Sequence, residues 1–125
     1  MAGDDLAGEP LIVVATRLQL RGWRHLRRFF GINGEIKAQL RDDPGVVRYR
    51  RRADFLGLRF YTQSIWRQSA AIDDFVRSGA HLHSMVIFDE IADRDASAFL
   101  RWELPAPKFP TWREARRRLT SDGMR

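Results

Sequence analysis

The chain of 125 residues has no cysteine, only two lysines and only three histidines. Lack of cysteine removes disulfides, thiolate metal ligands, thiol nucleophiles and redox-active thiols together. The histidines are His25, His81 and His83, and the last pair stands two apart, so on a helix the two rings diverge instead of sharing a face. That spacing argues against a metal-ion pair. No apolar run approaches the ~20 residues that cross a bilayer. The start, Met1-Ala2-Gly3-Asp4-Asp5, is acidic and lacks the basic lead of a secretory signal. The expectation is therefore a cytoplasmic protein with no membrane partner. Gly31-Ile32-Asn33-Gly34 is too short for a phosphate loop and follows a helix instead of a strand. No serine stands in a nucleophile elbow or triad pattern.

What the chain does have is arginine, 20 residues of it against two lysines, and a net charge of +6. The charge is uneven: −3 over residues 1–16, +9 over 17–67, −4 over 68–103 and +4 over 104–125. A basic part facing an acidic part can steer an anionic ligand or help two copies associate.

Residues 1–10 read as a disordered lead-in closed by Pro10. Leu11–Leu20 opens as a continuous β-branched run, as a central strand does. From Trp23 the spacing turns helical through Leu26, Phe30, Asn33, Ile36 and Leu40, until Asp42-Asp43-Pro44-Gly45 ends it. Val46–Ala53 and Leu58–Trp66 are two strands joined by a hairpin-type connection. Ser69 is placed to cap a helix carrying Ile72, Phe75 and Val76, and Ser78-Gly79 breaks it. His81–Ile91 continues as a helix with Leu82, Met85, Val86 and Ile91 inward. Ala98–Leu104 is a fourth strand. Residues 105–125 form a proline-rich segment and a short basic helix with Trp112, Ala115 and Leu119 on one side. The order β-α-β-β-α-(α)-β over 11–104 predicts an α+β fold, a ferredoxin-like sheet with helices on one face. Large apolar residues would then remain on the other face. Their burial, at ~25 cal/mol per Å², predicts sheet-to-sheet pairing of two copies into a homodimer.

The stretch from Thr62 to Ser78 carries a strand ending in Trp66, a serine, and a short acidic helix with Phe75. It resembles the antibiotic-biosynthesis-monooxygenase group of dimeric α+β barrels. Phe75–His81 is also similar to spheroidene-monooxygenase-like proteins. Leu11–Leu104 fits the group's element order. In the heme-degrading branch, a strand-one asparagine, a strand-three tryptophan and a helix histidine act together. Trp66 matches the tryptophan, but Thr16 falls on the asparagine and Met85 on the histidine. His81 and His83 lie within one turn of that ligand position. The resemblance therefore implies a cofactor-independent oxygenase, with heme as the other cofactor to consider. Such enzymes use an electron-rich polycyclic phenol itself to activate oxygen.

On this reading an apolar pocket lies between sheet and helices. Trp66, Thr16 and His81 are its candidate catalytic residues, and Phe30, Phe60, Arg17, Met85 and His83 its candidate substrate-binding residues. The predicted function is a small monooxygenase-like enzyme acting on an apolar or polycyclic small molecule. The alternative is a non-catalytic binder of heme or another small molecule. A nucleic-acid partner is disfavoured: in Leu56-Gly57-Leu58-Arg59-Phe60 only Gly57 and Phe60 fit an RNA-recognition signature. Three arginines, Arg48, Arg50 and Arg52, share one strand face, and that face must meet acids, anions or water.

Overall fold

The computed structural model describes residues 11–77 and 79–122, with residues 79–84 and 121–122 described by backbone only. Strand β1 is Leu11–Gln19; a 3-10 turn, Trp23–His25, leads into helix α1, Leu26–Asp42. Strands β2, Val46–Asp54, and β3, Arg59–Trp66, follow as a hairpin. Helices α2, Ser69–Val76, and α3, Gly79–Ile91, lead to β4, Ala98–Leu104, and the chain ends in α4, Trp112–Asp122. The four strands form one antiparallel sheet in the order β2-β3-β1-β4. This is the ferredoxin-like arrangement, with β1 and β3 central and the basic β2 at an edge.

Strand alternation divides the sheet into two faces. One face carries Ile12, Val14, Thr16 and Leu18 of β1 opposite Trp66, Ser64, Thr62 and Phe60 of β3. It packs under α1, α2 and α3 in two clusters. Leu40, Trp66, Ile72 and Phe75 form one; Leu20, Phe29, Leu58, Phe60 and Ile91 form the other. The turn into β2 touches α2 so closely that a Cβ on Gly45 would lie 2.5 Å from the Ala71 Cβ. In the β2–β3 hairpin Leu58 takes a positive φ of 55°, a costly conformation for a branched residue. Its side chain stays buried against Phe60 and Phe29, and that packing holds the turn.

The second face was expected to lie open to a second copy; the chain's own C-terminal segment covers it instead. Ala115 and Leu119 of α4 pack on Ala15 and Ala98, and Phe109 packs on the cluster of Leu11, Val13, Ile65 and Leu104. Val13, Ala15 and Ile65 are 0% exposed as a result. Part of the apolar surface on which sheet-to-sheet pairing was expected is thus covered within the chain itself.

Arg48 and Arg50 meet this segment as well. The Arg50 guanidinium lies 4.6 Å from the Phe109 ring centroid and 4.5 Å from the Trp112 ring. Its Nε donates to Gln63 Oε1 at 2.9 Å and its terminal nitrogen donates to the Pro110 carbonyl. For Arg50, aromatic faces, an amide and a carbonyl thus take the place of acids or anions, while Arg48 and Arg52 of the same face are exposed to water as expected. Burial pulls the Arg50 pKa below its ordinary value.

Two helix registers differ from the sequence reading. In α1 the buried aromatic is Phe29, while Phe30 is 44% and Trp23 57% exposed. In α3, Ile87, Phe88 and Ile91 pack inward, and Met85 and Val86 are exposed. Both assignments slipped because adjacent apolar residues make the inward position ambiguous. Ser69 is the first residue of α2 and caps nothing; its Oγ accepts from Arg101 at 3.0 Å, and Arg101 also reaches Asp73 at 3.2 Å.

Candidate functional site

The helix-side face of the sheet carries an unusual polar row. Thr16 of β1 and Thr62 of β3 stand directly opposite each other, and their hydroxyls are hydrogen-bonded. One residue pair further along, Ser64 Oγ accepts a hydrogen bond of 2.8 Å from Trp66 Nε1. Trp66 is 2% exposed, and its ring packs on Phe75 with centroids 5.3 Å apart. On the other side of the row Phe60 packs on Phe29 at 4.3 Å. Three hydroxyls and an indole N–H thus sit between two aromatic clusters.

Proton accounting shows what the row can do. Within the threonine pair one hydroxyl donates to the other, so the acceptor's own proton is uncommitted. Ser64 accepts from Trp66 and donates to no acceptor among the described residues. Two hydroxyl protons remain to point at a ligand oxygen, and paired donors of this kind stabilise an oxyanion. Tyr49 of β2 stands beside Ser64 in register and packs on the Trp66 cluster. Burial raises its phenol pKa above the ordinary value, with Arg51 pulling more weakly the other way.

The two faces of β1 differ in access. Its tail-side residues Val13 and Ala15 are fully buried, whereas the helix-side residues Ile12, Val14, Thr16 and Leu18 are all half-buried. Within the hydroxyl row Thr16 and Thr62 are half-buried and Ser64 is buried, 8% exposed.

Of the sequence candidates, the structure brings Thr16, Trp66 and Phe60 to this face. Phe30 sits at its rim, with its ring centroid 6.1 Å from Phe60 and 6.2 Å from Phe55. Arg17 is not part of the group: as Thr16's neighbour on a strand it points to the other face, where its Nε donates to the Ala96 carbonyl at 2.9 Å. Met85 is 46% exposed. The side chains of His81 and His83 lie outside the described residues. Sequence reasoning missed Thr62 and Ser64 as site residues. The alternation Phe60-Thr62-Ser64-Trp66 was the available signal, since hydroxyls on the buried face of a central strand require partners.

Among the described residues no cluster of His, Cys, Asp or Glu is arranged to hold a metal ion. No helix there is long and apolar enough to cross a membrane. A groove of about 450 Å³ is lined by α4 and Arg52, and one of about 330 Å³ by α1 and β2, reaching Leu40 and Tyr49 at the edge of the Trp66 cluster.

No protein-family model and no curated protein matches the chain. Solved structures do match in fold. Rv0793 from Mycobacterium tuberculosis superposes with a TM-score of 0.67 at 17% identity, over 80% of this chain and 97% of that one. SnoaB, a cofactor-independent oxygenase from Streptomyces nogalater, gives 0.64 at 12% identity, over 82% of this chain and 100% of its own. A conserved Bacteroides thetaiotaomicron protein described as a possible oxidoreductase gives 0.65 at 11% identity, over 76% and 98%. At such identities the likeness establishes the fold, and chemistry has to be argued from the site.

Proposed function

We propose that the chain is a monooxygenase-like enzyme of the antibiotic-biosynthesis-monooxygenase type that oxidises an apolar, electron-rich polycyclic phenol without a cofactor. The observation that carries this reading is the pair of uncommitted hydroxyl protons at Thr16–Thr62 and Ser64, on a half-open face between aromatic clusters. The fold of an oxygenase such as SnoaB fits the same reading.

The substrate supplies the electrons. A hydroxyanthracene in its keto form carries a CH2 group, and loss of one proton to water gives a delocalised phenolate. The hydroxyl row holds that oxygen and stabilises its charge as long as the anion persists. The anion passes one electron to O2; the resulting radical and superoxide combine into a C–O bond. Protonation gives a hydroperoxide, which loses water as its O–O bond breaks, leaving a carbonyl. CH2 plus O2 thus becomes C=O plus H2O, with no outside reductant. Trp66 and Phe60 provide the apolar walls, and the Trp66 N–H fixes Ser64 so that its proton faces the ligand.

Oxygen uptake with a hydroxyanthracene tests this. Wild-type protein is expected to accelerate uptake, and Thr62→Val to reduce kcat by about 100-fold, at the lower end of oxyanion-donor losses. Trp66→Phe is expected to reduce it less, since it loosens Ser64 and leaves the walls. Absence of wild-type uptake despite tight binding would leave a non-catalytic small-molecule binder. Full activity in Thr62→Val would place the site elsewhere.

A further inference from the structure

The groove of about 450 Å³ lies on the far side of the sheet from the hydroxyl row and plays no part in the proposed oxidation. Its wall is formed by Arg113, Arg116, Arg117 and Thr120 of α4, closed by Trp112 and by Arg52 at the end of β2. The spacing 113, 116, 117, 120 places these α4 side chains along one stripe of the helix. All four arginines are exposed, and none has an acidic partner among the described residues. The ion pairs that do form there use Arg28, Arg77, Arg94, Arg101 and Arg118. Glu114, the acid nearest on α4, is held away by Arg118 at 3.0 Å.

Four exposed guanidinium groups around one hollow concentrate positive potential there, which favours an anion of several charges. Two members of the frame, Arg116 and Trp112, are held by neighbours. The Arg116 guanidinium stands 5.7 Å from the Tyr61 ring centroid, and Tyr61 is paired in register with Arg52. Trp112 is held by Arg50. Arginine presents paired N–H donors that match phosphate oxygens two at a time. The volume is that of a small-ligand site.

We propose that this groove binds the oligophosphate chain of a compact anion. The wall of one helix and one strand end bounds a hollow instead of continuing as a track, which favours a short chain of phosphates over a nucleic-acid backbone. Inorganic tripolyphosphate and ATP carry the same triphosphate, and comparing them separates a free oligophosphate from a nucleotide. Both probes are titrated calorimetrically into the full chain at low and at physiological salt. Binding is expected with each, weakening as salt screens the exposed charges. A tighter ATP complex would assign the site to nucleotides, and equal affinities to the phosphate chain alone. Arg113→Ala/Arg117→Ala is expected to weaken binding at least about tenfold, and Arg117→Glu to weaken it further. Arg41→Ala, outside the groove, is expected to leave it unchanged. Failure of both probes to bind, or equal loss from Arg41→Ala, would overturn the proposal. So would a single-stranded oligonucleotide whose affinity rises with length and depends on Arg41 and Arg48, because that pattern belongs to a continuous nucleic-acid track.

Discussion

The two faces of one sheet solve the burial problem in opposite ways. On the tail side Val13, Ala15 and Ile65 are fully enclosed, and Arg50, which reaches this side from β2, is held by the Pro110 carbonyl and the Phe109 ring. On the helix side there is less charge, yet β1 remains half-open over a row of hydroxyls. The tail side is closed over its central apolar residues; the helix side leaves the threonine pair half-buried. The contrast is the basis for proposing the oxidation on the helix side, while the tail covers the apolar residues of the other face.

The largest expected effect follows from removing that part. Deletion of residues 108–125 uncovers the Val13–Ile65 surface, so the truncated chain should self-associate beyond the state of the intact chain at micromolar concentration, detectable by light scattering. A truncated chain that stayed fully folded and in the same oligomeric state as the intact chain would show that the tail is dispensable. A gentler form is Leu119→Ala, which leaves a cavity against Ala15 and Ala98 and should cost about 2–5 kcal/mol in chemical denaturation.

The sequence revealed much of this fold. Every strand and helix was placed to within a few residues, because the alternation in β1 and β3 and the breaks at Pro44-Gly45 and Gly57 are strong local signals. Local signals could not show where α4 goes: Trp112, Ala115 and Leu119 form an apolar stripe that would fit a partner's sheet as well as its own. Within the site, Thr16 and Trp66 were legible from strand position. Arg17 was misassigned because its charge suggested an anion role, although alternation already placed it on the face opposite Thr16. Phe30 was preferred to Phe29 where two adjacent phenylalanines leave the helical phase undetermined.

Arginine chemistry sharpens the contrast further. Arg50→Lys loses the planar stack between Phe109 and Trp112 and should cost about 1–2 kcal/mol. Arg51→Lys, exposed on the helix side of the same strand, should change stability by less than about 0.5 kcal/mol. Equal effects would mean that the stack contributes nothing.

Tyr49 gives a pH signature for the helix side. Its pKa is raised on folding by burial, so its contribution is complete below the unfolded phenol's value near 10. Stability should fall as pH rises above that value, when the unfolded chain ionises first. Tyr49→Phe should flatten this alkaline limb in a pH series of denaturation curves. Smallest of all, Thr16→Val should alter stability by about 1 kcal/mol or less, while weakening binding of a polycyclic phenol.

Methyl NMR with a hydroxyanthracene titrated into the wild-type protein compares the two faces directly. Binding at the hydroxyl row shifts the methyl signals of Ile12, Val14 and Leu18 and leaves those of Val13, Ile65 and Leu119 in place. Shifts confined to Val13, Ile65 and Leu119 would contradict the assignment of the site.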